Sequence, residues 1–329
     1  MPTQLKRRVH DGMARIVERG VPGLADSLGA IYAPDAVWRG SHPIDELAGV
    51  DAIAVKFWTP LLDAIPDLER REQLLIGGSY DGVDMVAGFG TLTGIFRHGW
   101  LDIPATGRTV NIRYSEAHEF AGDRIVRTTM LVDLLDLMRQ AKIWPVAPSL
   151  GLEMPWPAPF DTPGVCLEDA DPAKSAATLD QALTMQRALD YTADRDGLIA
   201  GPDKPFWHAR MMWYGPAGIG TCRGVEAYVD GHQRPFRLAF PERAGMNHYM
   251  RFGDGAFSAT GGWPSVRAVH SGGEFMGLGP TGHAIEMRVM DFYHHHEGLI
   301  RENWVPIDII DMLRQMGVDV FGRMRTLVG

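Results

Sequence analysis

Asp136-Leu137-Met138-Arg139-Gln140 returns, 175 residues later, as Asp311-Met312-Leu313-Arg314-Gln315. Moving outward from this pair, the same offset links Arg113 with Arg288 and Asp133 with Asp308. It links Thr106-Gly107 with Thr281-Gly282, Pro66 with Pro241, and Pro60 with Pro235. Earlier still it joins Gly49-Val50 to Gly224-Val225 and Trp38 to Trp213. An offset that survives about a hundred residues without a gap is the mark of an internal duplication. The sequence therefore reads as two copies of one unit, with domains expected at 1–143 and 177–329 and a connecting strap at 144–176. The 329 residues suffice for two domains of ordinary size.

Within the first copy, apolar residues recur at helical spacing over about 5–20 and 23–32, and a short strand surrounds Trp38. After Gly49 the residues Ile53, Phe57, Leu61 and Ile65 form one helical stripe, which Pro66-Asp67 ends. Strand-like segments follow at about 70–79, 83–96, 108–120 and 124–133, with Asp81-Gly82 and Ala121-Gly122-Asp123 as hairpin turns. A short helix from Leu134 to Gln140 closes the unit. The second copy repeats the plan with a helix at about 225–238, a hairpin at Glu297-Gly298 and a closing helix from Ile307 to Gln315. The fold class is α+β: two tandem cone-shaped domains, each with about three N-terminal helices packed in a curved antiparallel sheet. The open end of such a cone is a place for a small molecule. The strap carries Pro145, Pro148, Pro155, Pro157, Pro159, Pro163 and Pro172, so it is extended. Its apolar residues, among them Leu150, Leu152, Trp156 and Phe160, predict that it lies along a surface.

Charge and cysteine usage bound the partners. The net charge of −9 opposes a phosphate-tracking surface, so no nucleic acid is expected. Cys166 and Cys222 make no disulfide framework and have no zinc spacing, which suggests a reducing cytoplasm. The basic start (Lys6, Arg7, Arg8) leads into an amphipathic helix with Val9, Met13, Ile16 and Val17 on one side, unlike a signal peptide. No segment approaches the roughly 20 apolar residues of a membrane span, so no membrane partner is expected.

Several short runs, taken together, resemble the SnoaL-like polyketide cyclases of the nuclear transport factor 2-like superfamily. They are Tyr32-Ala33-Pro34-Asp35-Ala36-Val37-Trp38, Gly49-Val50, Pro66-Asp67 and Pro104-Ala105-Thr106-Gly107-Arg108. Gly122-Asp123-Arg124-Ile125-Val126 leading into Asp133 to Gln140 continues the likeness, as does Glu297 to Trp304 in the second copy. The resemblance implies a pocket enzyme without cofactor or metal that closes a polyketide ring by intramolecular aldol condensation. In that family an aspartate acts as acid/base, two positions after a histidine, in a Glu-His-Trp-Asp run. The matching runs here are Arg127-Thr128-Thr129-Met130 and Glu302-Asn303-Trp304-Val305. Met130 and Val305 stand at the aspartate and cannot move a proton, while Thr128 and Asn303 stand at the histidine.

Replacement chemistry is sought on the neighbouring strand, where Asp291 and Tyr293 in the second copy answer to Glu116 and His118 in the first. Residues two apart share a face, so each pair points inward together or outward together. Inward, a carboxylate has its pKa raised toward neutrality and serves as acid/base; otherwise the pair stabilises a hairpin or an interface. His248 and His270 are further candidates for base or donor on pocket strands, set against packed or surface histidines. His294-His295-His296 is read as a solvated strand end, because consecutive residues alternate faces and no acidic partner has ligand spacing. Trp38, Trp213 and Trp263 are either core packing or pocket lining suited to a flat ligand.

The sequence thus favours acid/base chemistry, of cyclase, lyase or isomerase kind, on a small apolar or aromatic carbonyl compound, with no cofactor. The alternative is a ligand-binding or scaffold module that has lost catalysis. In a third reading the two copies form an intramolecular pseudo-dimer, the first a structural partner and the second the working unit, with room for further self-association.

Overall fold

The computed structural model describes residues 2–188, 194–200, 205–246 and 248–328. It divides into two compact units. The first comprises 1–144, 157–169 and 321–329, and the second 145–156 and 170–320.

The first unit begins with α1 (Pro2–Ile31), which is bent at Gly20, a residue with φ 58° that only glycine adopts without cost. The two expected helices are thus both present, joined across the non-helical Gly20. Next come β1 (Tyr32–Gly40) and β2 (Glu46–Ala48). The expected third helix is built in three pieces: α2 (Val50–Ile53), a π-turn (Ala54–Trp58) and α3 (Thr59–Ala64). The strands β3 (Glu69–Tyr80), β4 (Val83–Ile95), β5 (Thr109–Ala121) and β6 (Arg124–Val132) form the meander, and α4 (Leu134–Gln140) closes it. The sheet order is β2-β1-β6-β5-β4-β3, with β1 parallel to β6, so one pairing departs from the antiparallel expectation.

The second unit repeats this order. It contains α5 (Pro172–Ala188), α6 (Arg195–Ala200), β7 (Trp207–Tyr214) and β8 (Thr221–Arg223). Then α7 (Gly224–Tyr228), a π-turn (Val229–Gln233) and α8 (Arg234–Ala239) form its broken helix. β9 (Glu242–Gly245), β10 (His248–Asp254), β11 (Phe257–Val269), β12 (Ala284–His296), β13 (Leu299–Trp304) and α9 (Ile309–Gln315) complete it. The edge strand opposite β7 and β8 is interrupted here: β9 and β10 both pair with β11, one after the other. The last helix, α10 (Val320–Val328), lies almost wholly in the first unit, where Arg325 pairs with Asp102 at 3.2 Å and Phe321 meets His42. Among the described residues no helix is long and apolar enough to cross a membrane.

The proline-rich connection is laid down in two parts. Leu152 pairs with Thr221 in the second unit, where the Trp156 indole donates to the Gly215 carbonyl at 3.1 Å. In the first unit Leu75 donates to the carbonyl of Gly164. Of its apolar side chains Trp156 is buried, while Leu150, Leu152 and Phe160 stay exposed.

One device fixes both closing helices to their sheets. Asp133 caps α4 by accepting from the Asp136 amide and also pairs with Arg113 at 2.7 Å. Asp308 caps α9 in the same way and pairs with Arg288 at 3.1 Å. The Arg113 side chain is 1% exposed and that of Arg288 18%. Removing a carboxylate beside a buried guanidinium leaves uncompensated charge, a loss that grows with burial. Asp133→Ala is expected to cost about 3 kcal/mol and Asp308→Ala about 1–2 kcal/mol, read as loss of stability in urea unfolding.

Candidate active site in the second unit

On β12 the two-residue period of a strand sends Met287, Val289, Asp291 and Tyr293 to one face. That face lines a cavity of about 700 Å³ within the second unit. β13 and the residues after it contribute Asn303, Val305 and Ile307, and β7 contributes Trp213. Tyr228, His232, Gln233, Phe236 and Arg237 come from the broken helix around its π-turn. Gln186 of α5, His248 and Arg251 of β10, and Arg243 and Ala244 of β9 complete the working part of the wall.

Asp291 is the centre of the polar wall. Burial pushes its carboxyl up to about 7, against hydrogen bonds from Tyr293 and Asn303 that favour the ionised form. Burial, and then the Asp291 charge, push the Tyr293 phenol well above its usual range, so it stays protonated. Gln186 donates to the Tyr293 oxygen at 2.9 Å and to Thr260 at 3.0 Å, leaving the phenolic proton for Asp291. The Asn303 amide also donates to the Phe292 carbonyl at 3.1 Å, which fixes its orientation.

The histidines of the wall are neutral. His232 stacks on Trp213 with ring centroids 4.1 Å apart, and burial followed by Arg237 lowers it to about 3. Burial and Arg251 lower His248 as well. Arg251 donates to His248 Nδ1 at 2.9 Å, so the ring proton of the neutral form sits on Nε2.

Other expected residues lie elsewhere. His270 just follows β11 and is outside the cavity wall: its Nδ1 meets Thr281 and its Nε2 donates to the Gly273 carbonyl at 3.0 Å. Trp263 packs under the Arg288 guanidinium, 4.4 Å from ring centroid to charge. Arg288 alternates with Met287 and Val289, so Trp263 belongs to the opposite face. Glu302, retained from the family run, also faces away from Asn303; it accepts from Tyr214 at 3.1 Å and meets His294 Nδ1 at 2.9 Å. The expectation of a solvated triple-histidine end is corrected here. His294 and His295 are buried, and His295 joins Ser258 and Gln181 at 3.0 and 2.8 Å. Each buried imidazole has its own partner across the sheet or on α5, which is what removes it from water.

The equivalent positions of the first unit are sealed. Phe57, Trp58 and Leu62 stand where the second unit has His232, Gln233 and Arg237, at the same offset of 175. Phe57 packs on Trp38, Trp58 and Trp100 at 4.5, 5.0 and 6.2 Å. Glu116, the counterpart of Asp291, is gripped by both ends of the Arg70 guanidinium and lies 3.2 Å from His118 Nε2. Burial disfavours its charge, yet Arg70 and then His118 prevail and hold it at about 2. His118 Nδ1 meets Thr128 at 2.8 Å, Thr128 meets the Tyr32 hydroxyl at 3.0 Å, and Met130 is buried. Strand register explains the difference between the units. Arg70 pairs with Leu92, opposite Ile112, and at the matching place Gly245 pairs with Val266, opposite Met287. A guanidinium in one unit is replaced by a glycine in the other, where an added Cβ would meet nothing within 4 Å, and that space opens.

Sequence reasoning finds Asp291, Tyr293, His248, Trp213, Asn303 and Val305 on the wall, and misses His232, Gln233, Arg237, Gln186 and Arg251. The missing signal lay in the repeat itself: His232, Gln233 and Arg237 are polar where their counterparts Phe57, Trp58 and Leu62 are apolar.

Known proteins bear on this arrangement. The profile of SnoaL-like polyketide cyclases matches residues 9–141 and again 203–316. Among solved structures, a protein from Jannaschia sp. CCS1, provisionally described as a SnoaL-like polyketide cyclase, is 20% identical over 40% of this chain and 90% of its own, with TM-score 0.34. IdmH from Streptomyces antibioticus, provisionally described as a polyketide cyclase, is 19% identical over 41% of this chain and 98% of its own, with TM-score 0.34. AclR from Streptomyces galilaeus, provisionally described as a hydroxylase, is 20% identical over 45% of this chain and 87% of its own, with TM-score 0.37. Among curated proteins none matches this sequence. With both of its regions matched in tandem, the chain belongs to the SnoaL-like polyketide cyclase family.

Proposed function

We propose that the second unit catalyses proton transfer on a small carbonyl compound, a cofactor-free cyclase, lyase or isomerase reaction with Asp291 as acid/base. The observation that carries this reading is a carboxyl group on a cavity wall, poised near neutrality at about 7, beside Tyr293 and Asn303. A base works best when its pKa lies near the operating pH. As carboxylate, Asp291 takes a proton from the carbon next to a carbonyl; the enolate carbon attacks a second carbonyl carbon and closes the ring. Asp291 then returns the proton to the alkoxide oxygen, so the step needs no co-reactant. Tyr293 and Asn303 hold the carboxylate in place.

The first unit, in this reading, is a structural partner. Its Glu116 is locked as an ion by Arg70, and its interior is filled by Trp38, Phe57, Trp58 and Trp100. Such a unit takes the place of a second subunit in an intramolecular pseudo-dimer. The free thiols Cys166 and Cys222 fit a reducing compartment such as the cytoplasm.

Exchange of deuterium from solvent into aryl β-diketones, followed by NMR, tests the chemistry without knowledge of the natural substrate. The wild type is expected to speed exchange, with a rate that rises as pH passes about 7 because the base form is needed. Asp291→Asn should lower the rate by about 10²–10⁴ with an unchanged circular dichroism spectrum. An Asn variant that exchanges as fast as the wild type would remove Asp291 from the mechanism. Tyr293→Phe, which deletes a hydrogen bond to the charged form, should move the midpoint of the pH profile upward.

The same shift has a consequence for stability. The folded pKa of Asp291 lies above its unfolded value, so folding binds a proton and the ionised group opposes folding. Its destabilising effect is absent below about pH 4, grows as pH rises, and is complete above about pH 7. Asp291→Asn is therefore expected to raise the urea midpoint at pH 8 and to leave it nearly unchanged at acid pH.

A further inference from the structure

The charge of the cavity runs against that of the protein. The chain carries a net −9, yet Arg187, Arg237, Arg243 and Arg251 line the cavity, facing Asp291 as the sole carboxylate among the described lining residues. From the geometry we infer that the substrate carries an anionic group, a carboxylate on a flat aromatic carbonyl compound. This deepens the functional reading above and rests on the cavity being the substrate site.

Three features carry it. Arg251 meets the neutral Nδ1 of His248, and Arg243 donates to the Phe240 carbonyl at 3.2 Å. Among the described residues neither has a carboxylate partner. Arg237, only 4% exposed, is held through Nε by Gln233 at 3.1 Å, and Gln233 is itself held by donating to Tyr228 at 2.6 Å. Its charge acts on His232 and Tyr228, which line the cavity beside it. In the first unit the contrasting solution is on view: Arg70 is given Glu116 and Glu72 as internal partners. Arg251 and Arg243 stand part-buried on the cavity wall without such a pairing among the described residues, and a guanidinium drawn partly out of water gains from an anion that enters the cavity.

The placement also orients the substrate. Asp291, when ionised, repels a second negative charge, so the carboxylate settles toward Arg251 and Arg243 and the carbonyl toward Asp291. The stacked Trp213 and His232 rings, 15° from parallel, offer a flat apolar surface between the two ends.

The test is calorimetric titration of the full chain with 2-naphthoate and with its uncharged amide. The acid is expected to bind about tenfold more tightly or better, a preference that shrinks as salt rises from about 50 to about 500 mM. Arg251→Gln should bring the ratio toward one, and Arg243→Gln should lower it less, each with a wild-type circular dichroism spectrum. Equal binding of acid and amide, or a preference untouched by both substitutions, overturns the inference. Asp291→Asn keeps the preference for acid if the inference holds, even with exchange chemistry lost. Loss of exchange without a preference for acid leaves the acid/base reading standing and this inference overturned; preference for acid with wild-type exchange in the Asn variant does the reverse.

Discussion

The two-residue period of β12 is the constraint on which the second unit's site depends. It places Met287, Val289, Asp291 and Tyr293 on one face and Arg288 on the other. The inner face meets the cavity; the outer face receives the closing helix, with Arg288 paired to Asp308 and Asp311 and stacked on Trp263. A slip of one residue would exchange these roles, putting a guanidinium inside and the carboxylate of Asp291 outside. The ion pairs of the closing helix therefore do more than stabilise. They pin the register that aims Asp291 inward.

Given that register, the two units show how neighbours decide the character of a buried carboxylate. Glu116 and Asp291 occupy equivalent places and are both enclosed, yet one is held at about 2 and the other rises to about 7. The difference lies in what replaces water. Arg70 and His118 give Glu116 positive charge, whereas Asp291 receives dipoles from Tyr293 and Asn303. Charge compensates desolvation far more fully than dipoles do. A carboxylate compensated by charge is an inert strut, and one compensated by dipoles is able to exchange its proton near neutral pH.

Much of this was legible in the sequence, for reasons that particular residues make plain. The repeat, the hairpins at Asp81-Gly82 and Glu297-Gly298, and the closing helices were readable because turn chemistry and apolar period are local. The inward direction of Asp291 was not, because alternation leaves two choices that tertiary packing alone resolves. His270 and Trp263 failed as pocket residues for the same reason: a bulge in β11 between Gly262 and Val266 shifts the pattern past which faces can be counted. The π-turns at Ala54–Trp58 and Val229–Gln233 were hidden too, since one extra residue in a turn leaves the apolar stripe nearly intact while rotating the helix beyond it. His232 and Gln233 lie within the second of these turns and line the cavity.

The division of the chain has a bearing on how the protein is made. Residues 321–329 belong to the first unit, although the whole second unit lies between them and the rest of it in sequence. Synthesis runs from the N-terminus, at about 5–20 residues per second, so the first unit waits roughly ten to thirty seconds for its last helix. During that interval the surface around His42 and Asp102 lacks Phe321 and Arg325. Completion of the earlier domain is thereby tied to completion of the later one, and a ribosome that stalls within the second repeat releases a first repeat that is itself unfinished.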